Sequence, residues 1–350
     1  MREKIKSIDY LKGIMAVGIV LFHYTVLTDT SHNDINFPLY DILRVFYNSN
    51  YGNVLVEMFF LISGFCFFHF YSENIKNEKI NGKTFFLKRF FRLYPLYIFT
   101  TVVVAVLQLI YNKINGRYFG AGVDFSAMNI VLNILCMSRG YVTNEIYPYN
   151  GPAWFINVLI IDYFLFFIIS KYIKNVNKRL GVIGGLIILG LTLKFFNFQF
   201  PILNVEVGRG LTNFFMGGII EYIYNKKHIQ IVSLLIIACA FFLNLTSYYY
   251  IVLLLFPSLL ILLILNDKYI PDIKILKYLG KISFSMYLIH YCYMGLIKIL
   301  PYKFNYYDIS FFVFFWIGLL LISGINYIFF EKNVSKALEN KFNFMNGGKK

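Results

Sequence analysis

The chain has no polar stretch long enough to build a soluble domain, and no linker, repeat or low-complexity block divides its 350 residues. It reads as one integral-membrane domain over 1–350. Its spans run from about 9 to about 331, and a short tail follows at about 332–350 with no appended soluble domain. Cysteine is scarce. Cys66, Cys136, Cys239 and Cys292 stand singly in apolar context, with no metal or redox spacing, and are read as core packing. No cluster of ligating side chains is visible, so no metal is expected. Acidic residues are few, 18 against 33 basic ones, but the placement of the excess explains it without a nucleic-acid partner. The first apolar run keeps Lys12 and lacks a small-residue cleavage site, which argues against a removed signal peptide and predicts an uncleaved span.

What the chain has in abundance is apolar surface: 58% hydrophobic residues, 20% aromatic and a mean hydropathy of +0.62. Apolar runs near the length of a bilayer crossing recur at about 9–28, 53–71, 93–111, 154–173, 180–197, 209–225, 229–245, 247–266, 281–300 and 308–329. The pattern predicts an all-α integral membrane protein, a bundle of about ten transmembrane helices. Ala127 to Met137 is too short to cross and is read as interfacial, re-entrant or packed on the bundle. With the N-terminus in the cytoplasm, most basic residues fall in cytoplasmic loops: Lys88, Arg89 and Arg92, then Lys171 to Arg179, then Lys268 to Lys281. The positive-inside rule therefore places both termini in the cytoplasm. The abundance of Tyr, Phe, Asn, Lys and Ile points to a bacterium, hence to a multi-pass protein of its plasma (inner) membrane.

His23 follows Lys12 by eleven positions in the first run. On a helix that spacing returns to within roughly 20° of the same face, about 16 Å further along the axis. Two polar groups thus share one face of a lipid-soluble segment. Ionisable groups at membrane depth are costly and mark functional sites.

Five patterns occur in order: Ser7-Ile8-Asp9-Tyr10-Leu11-Lys12-Gly13 leading to Phe22-His23; Glu57-Met58-Phe59-Phe60-Leu61-Ile62-Ser63-Gly64-Phe65; Lys88-Arg89-Phe90-Phe91-Arg92-Leu93-Tyr94-Pro95-Leu96-Tyr97; Gly151-Pro152-Ala153-Trp154-Phe155-Ile156 with Asp162-Tyr163; and Gly280-Lys281-Ile282-Ser283-Phe284-Ser285-Met286-Tyr287-Leu288-Ile289-His290. Together they resemble the membrane acyltransferase family three, the O-acetyltransferases of bacterial surface polysaccharide and O-antigen, from residue 7 to about 331. The chain departs from the family pattern in four places. Lys12 stands where an Arg is usual, which keeps the charge and loses the bidentate fork. Glu57 replaces a common Asp, Leu159 stands where many relatives carry Glu, and Asn333 where a Pro is frequent.

The resemblance implies transfer of an acyl group, usually acetyl, from cytoplasmic acetyl-CoA to a hydroxyl of an extracytoplasmic surface glycan or lipid-linked sugar. Such a reaction needs a base, stabilisation of the oxyanion and a grip on the donor. His23 is the expected base, with Glu57 at similar depth as its orienting partner. Lys12, Arg89 and Arg92 are expected to bind the donor, the two arginines sharing a helix face and suiting phosphate. Trp154, Arg209, Tyr287 and His290 are the acceptor-side candidates, with Ser283, Tyr287 and His290 forming a polar stripe. His32, His69 and His228 receive no role. The residues leave open an exporter of polysaccharide or lipid-linked sugar without acyl transfer, and a homo-oligomer is compatible with the chain.

Overall fold

The computed structural model describes residues 5–24, 27, 51–120, 122–142, 147–243, 247–301, 304–306, 308–334 and 337. Arg2, Lys4, His32, Lys336, Lys341, Lys349 and Lys350 lie outside the described residues.

Helices occupy all ten stretches read as spans. They are α1 (Lys6–Tyr24), α2 (Tyr51–Lys76), α3 (Gly82–Asn115), α5 (Trp154–Tyr172), α6 (Val176–Phe195), α7 (Val205–Ile223), α8 (Ile229–Phe242), α9 (Tyr248–Leu265), α10 (Lys274–Ile299) and α11 (Ile309–Val334). The short apolar run forms α4 (Ala127–Ile134). Among the described residues, seven helices are long and apolar enough to cross a membrane by length and composition. The other three fall short for visible reasons. α1 carries Lys6, Asp9 and Lys12, α7 carries Glu206, Arg209 and Glu221, and α8 is only 14 residues long. Large apolar side chains such as Phe99, Val102, Ile188, Leu235, Phe314 and Leu321 stand exposed on the outer helices. Such a surface is a liability in water and ordinary in lipid. The chain is an all-α integral membrane protein.

α3 begins eleven residues before the apolar run that announced it. Asn81 caps it by accepting from the Thr84 amide, and Gly116 in the left-handed region ends it. Lys88, Arg89 and Arg92 therefore lie on the helix itself. The start of α1 is clamped from the turn after α9. Asp267 accepts from the Ser7 amide at 2.6 Å and the Lys6 amide at 3.3 Å, satisfying donors a helix N-terminus leaves free. Tyr10 adds a second tie, donating to Asp272 at 3.1 Å and accepting from the Ile273 amide at 2.9 Å. The Lys277 ammonium, with the Tyr10 hydroxyl, holds the Asp272 carboxyl below its usual range. That tie is thus complete at neutral pH and is lost only as pH falls through the lowered value.

Two helix pairs cross on glycine. α1 meets α10 where Gly13 lies against Gly280, and a Cβ on Gly280 would strike the Asp9 carbonyl. α2 meets α7 where Gly64 lies under Phe214 and Gly217 under Leu61, again backbone against backbone. Small residues let helices approach this closely in a medium that offers no hydrophobic drive. A methyl at such a crossing is overpacking and costs at least about 2 kcal/mol. Gly184 on α6 faces open space, where Ala gains about 0.5–1 kcal/mol over Gly in a helix. Thermal unfolding in detergent is therefore expected to show Gly64→Ala strongly destabilised and Gly184→Ala unchanged or improved.

Candidate active site

A cavity of about 260 Å³ opens between α1, α2, α3, α5 and α10, and Lys12, Arg89 and Arg92 all line it. The early start of α3 puts Arg89 about two turns and Arg92 nearly three turns inside the helix, on one face. Arg89 is buried, with its guanidinium 4.3 Å from the Tyr71 ring centre and 4.6 Å from that of Phe67. Stacking on aromatic faces holds the cation, and among the described residues its Nε has no hydrogen-bond partner. The Lys12 ammonium lies 3.9 Å from Asp9. Tyr163 also lines the cavity, stacked on Phe67 at 4.2 Å.

The cavity ends at three rings, Phe59, Phe155 and Tyr287, whose centres lie 5.8–6.1 Å from one another. Tyr287 is anchored by donating to the Pro152 carbonyl at 2.5 Å. His23 and His290 stand past Tyr287, and neither lines the cavity. The expectation that Lys12 and His23 share one open space is thus corrected: an aromatic layer separates them.

The two imidazoles meet, His290 Nε2 lying 3.2 Å from His23 Nδ1. His290 Nδ1 lies 3.2 Å from the Met286 carbonyl and His23 Nδ1 3.0 Å from the Ile19 carbonyl. A carbonyl only accepts, so each Nδ1 carries a proton. His23 Nδ1–H then donates toward Ile19 and the His290 Nε2 lone pair together. That arrangement leaves Nε2 of His23 as a lone pair available to take a proton. The pairing follows from the α1–α10 crossing. Gly13 to Gly280 and His23 to His290 are the same 267 positions apart in the chain. The helices therefore run parallel and in register, with the histidines about 15 Å beyond the glycines.

Glu57 does not orient His23. It is fully buried and accepts from Arg209 Nε at 2.5 Å, Asn213 Nδ2 at 2.7 Å and the Tyr248 hydroxyl at 2.8 Å. The reason is the α2–α7 crossing, which lies about two turns from Glu57 on one helix and about two turns from Arg209 on the other. Arg209 in turn lies 4.4 Å from the Trp154 ring centre, so Glu57, Arg209 and Trp154 make a second cluster. Phe60 links it to the ring layer, 6.0 Å from Trp154 and 4.5 Å from Phe155. Ser285 serves the fold, donating to Glu331 and accepting from Asn326, both at 2.8 Å.

Several members of these clusters went unassigned in the sequence. Asn213 had a signal, four residues after Arg209 on one helix face. Tyr248 opens a Tyr-Tyr-Tyr run that reads as an interfacial belt. Phe59 and Phe155 stand inside two of the motifs that carry the family resemblance, but nothing singled out their rings in a chain with 39 phenylalanines. Asp162 is fully buried, and among the described residues neither carboxyl oxygen has a hydrogen-bond partner. Glu57 and Asp162 should therefore respond differently. Glu57→Gln removes the charge opposing Arg209 and is expected to cost about 3 kcal/mol. Asp162→Asn breaks no hydrogen bond and is expected to stay within about 1 kcal/mol of the parent, both read as thermal unfolding in detergent.

Neither a curated protein nor a solved structure matches the chain. The acyltransferase domain family matches residues 5–331, a range that holds both histidines, the cation-lined cavity and the Glu57–Arg209 cluster. The chain belongs to acyltransferase family 3 and is a membrane acyltransferase.

Proposed function

We propose that the chain is an O-acetyltransferase of a bacterial plasma membrane, moving acetyl from cytoplasmic acetyl-CoA to a hydroxyl of an extracytoplasmic polysaccharide or lipid-linked sugar. The observation that carries this reading is the arrangement along α1. A cavity with three cations lies at the Lys12 end, and a paired histidine with a free Nε2 lies about 16 Å from Lys12 along the helix. The positive-inside pattern of the loops supports a cytoplasmic Lys12 end.

Lys12, Arg89 and Arg92 suit the phosphates of coenzyme A, with Arg offering parallel donors to each. The cavity, about 260 Å³, suits a slender pantetheine arm with the nucleotide left at its mouth. When bound, the thioester supplies an activated acyl carbonyl. His23 Nε2 takes the proton of the acceptor hydroxyl as its oxygen bonds to that carbonyl. The C–S bond breaks, and His23 returns the proton to the departing sulfur. His290 is a positioning residue: its Nε2 receives the His23 Nδ1–H and favours the imidazolium that forms. Arg209, held by Glu57 and faced by Trp154, offers charge and a stacking surface to the acceptor.

Isolated membranes carrying the protein, given carbon-14 acetyl-CoA, are expected to accumulate base-labile label, as an ester requires. His23→Ala should lower the rate by about 10²–10⁴, and undiminished labelling would remove His23 as the base. Absence of label with the parent protein would favour the exporter reading. His290→Gln, whose side-chain carbonyl can accept from His23, should retain more activity than His290→Ala. Equal rates for the two would overturn the positioning role.

A further inference from the structure

We propose that Phe59, Phe155 and Tyr287 form a diaphragm that limits the length of the transferred acyl group to two carbons. The inference rests on the transferase reading above and adds what decides the donor.

The three rings come from three helices and lie at one level. One turn toward the Lys12 end, about 6 Å away, the same helices carry Ser63, Leu159 and Ser283, and all three line the cavity. Ser63 follows Phe59 by four residues on α2, Leu159 follows Phe155 by four on α5, and Ser283 precedes Tyr287 by four on α10. Two serines and a leucine thus line the level toward the Lys12 end, and three aromatic rings line the level toward the histidines. Centre separations of 5.8–6.1 Å are those of packed aromatic pairs.

The acyl group is the leading end of a thioester that enters from the cation end. It must pass the rings before its carbonyl reaches His23. The thioester sulfur and its arm then occupy the ring layer, where a methyl needs only a small displacement of one ring, whereas a longer chain has to fold back and share that layer with the arm. Beyond the rings His23 is flanked by His290 at 5.0 Å and Tyr291 at 6.3 Å between ring centres. Two of the rings are fixed: Tyr287 is tied to Pro152 and Phe155 is packed on Phe60. Phe59 is half-buried and makes no polar tie, so it is the ring with freedom to turn.

The test compares carbon-14 acetyl-, butyryl- and hexanoyl-CoA as donors to isolated membranes, with His23→Ala membranes as the background. The parent protein is expected to use butyryl-CoA at least about tenfold less well than acetyl-CoA, within the discrimination per methylene that a packed site achieves. Phe155→Ala is expected to raise the butyryl-to-acetyl ratio by at least about tenfold. Phe59→Leu, a milder change on a half-buried side chain, should raise it less and guards against misfolding of the first variant. A parent that uses hexanoyl-CoA as readily as acetyl-CoA, or variants that transfer acetyl with an unaltered ratio, would overturn the diaphragm and leave the transferase standing. A parent that consumes none of the three thioesters would overturn the transferase reading and this inference together.

Discussion

Two parallel helices brought together on glycine hold the rest of the arrangement in place. Where Gly13 of α1 lies against Gly280 of α10, no side chain keeps the backbones apart, and register is set by contact. Ten residues further along each helix the imidazoles fall within hydrogen-bond reach. Nothing local to His23 or His290 dictates that meeting. The clamp of Asp267 and Asp272 on the start of α1 works in the same direction, fixing where the helix begins and hence where its eighteenth residue lies. The geometry of the histidine pair is therefore a consequence of backbone contact about 15 Å away.

Polar groups inside lipid must be satisfied within the protein, and each cluster here does so by a different means. The Arg89 guanidinium rests on the faces of Tyr71 and Phe67. Arg209 is met by a carboxylate that is itself held by an amide and a phenol. The histidines use each other and two helix carbonyls. These solutions leave distinct electrical characters along the bundle: an excess of cations in the cavity, a near-neutral pair of imidazoles, and a compensated Arg–Glu pair. An anionic donor and a neutral reaction centre are compatible with that order. Asp162 stands apart, buried with neither oxygen partnered among the described residues.

The fold was legible to a large degree because lipid imposes a strong rule on sequence. Helix positions followed from apolar runs, and the short run at Ala127 formed a helix too brief to cross. Charge extends α3 past the apolar run that announced it, and α1, α7 and α8 are helices too polar or too short for a criterion of length and composition alone. Lys12, Arg89 and Arg92 could be grouped from their periodicity and their side of the membrane. The pairing of Glu57 with His23 failed because similar depth says nothing about which neighbour a helix face meets. The small residues Gly64 and Gly217 turned that face toward α7.

The sequence by itself determined that the chain lives in a membrane as helices, that its ionisable groups are few and placed, and to which family it belongs. Each of these is encoded along one dimension, as run length, spacing and order. Only the tertiary structure decided that His23 is partnered by His290, that Glu57 serves Arg209, and that a layer of three rings separates the cation-lined cavity from the imidazoles. Those relations join residues far apart in the chain and depend on helix rotation and crossing. Apolar periodicity in lipid constrains both weakly, since many faces are equally soluble and close packing on small residues selects among them.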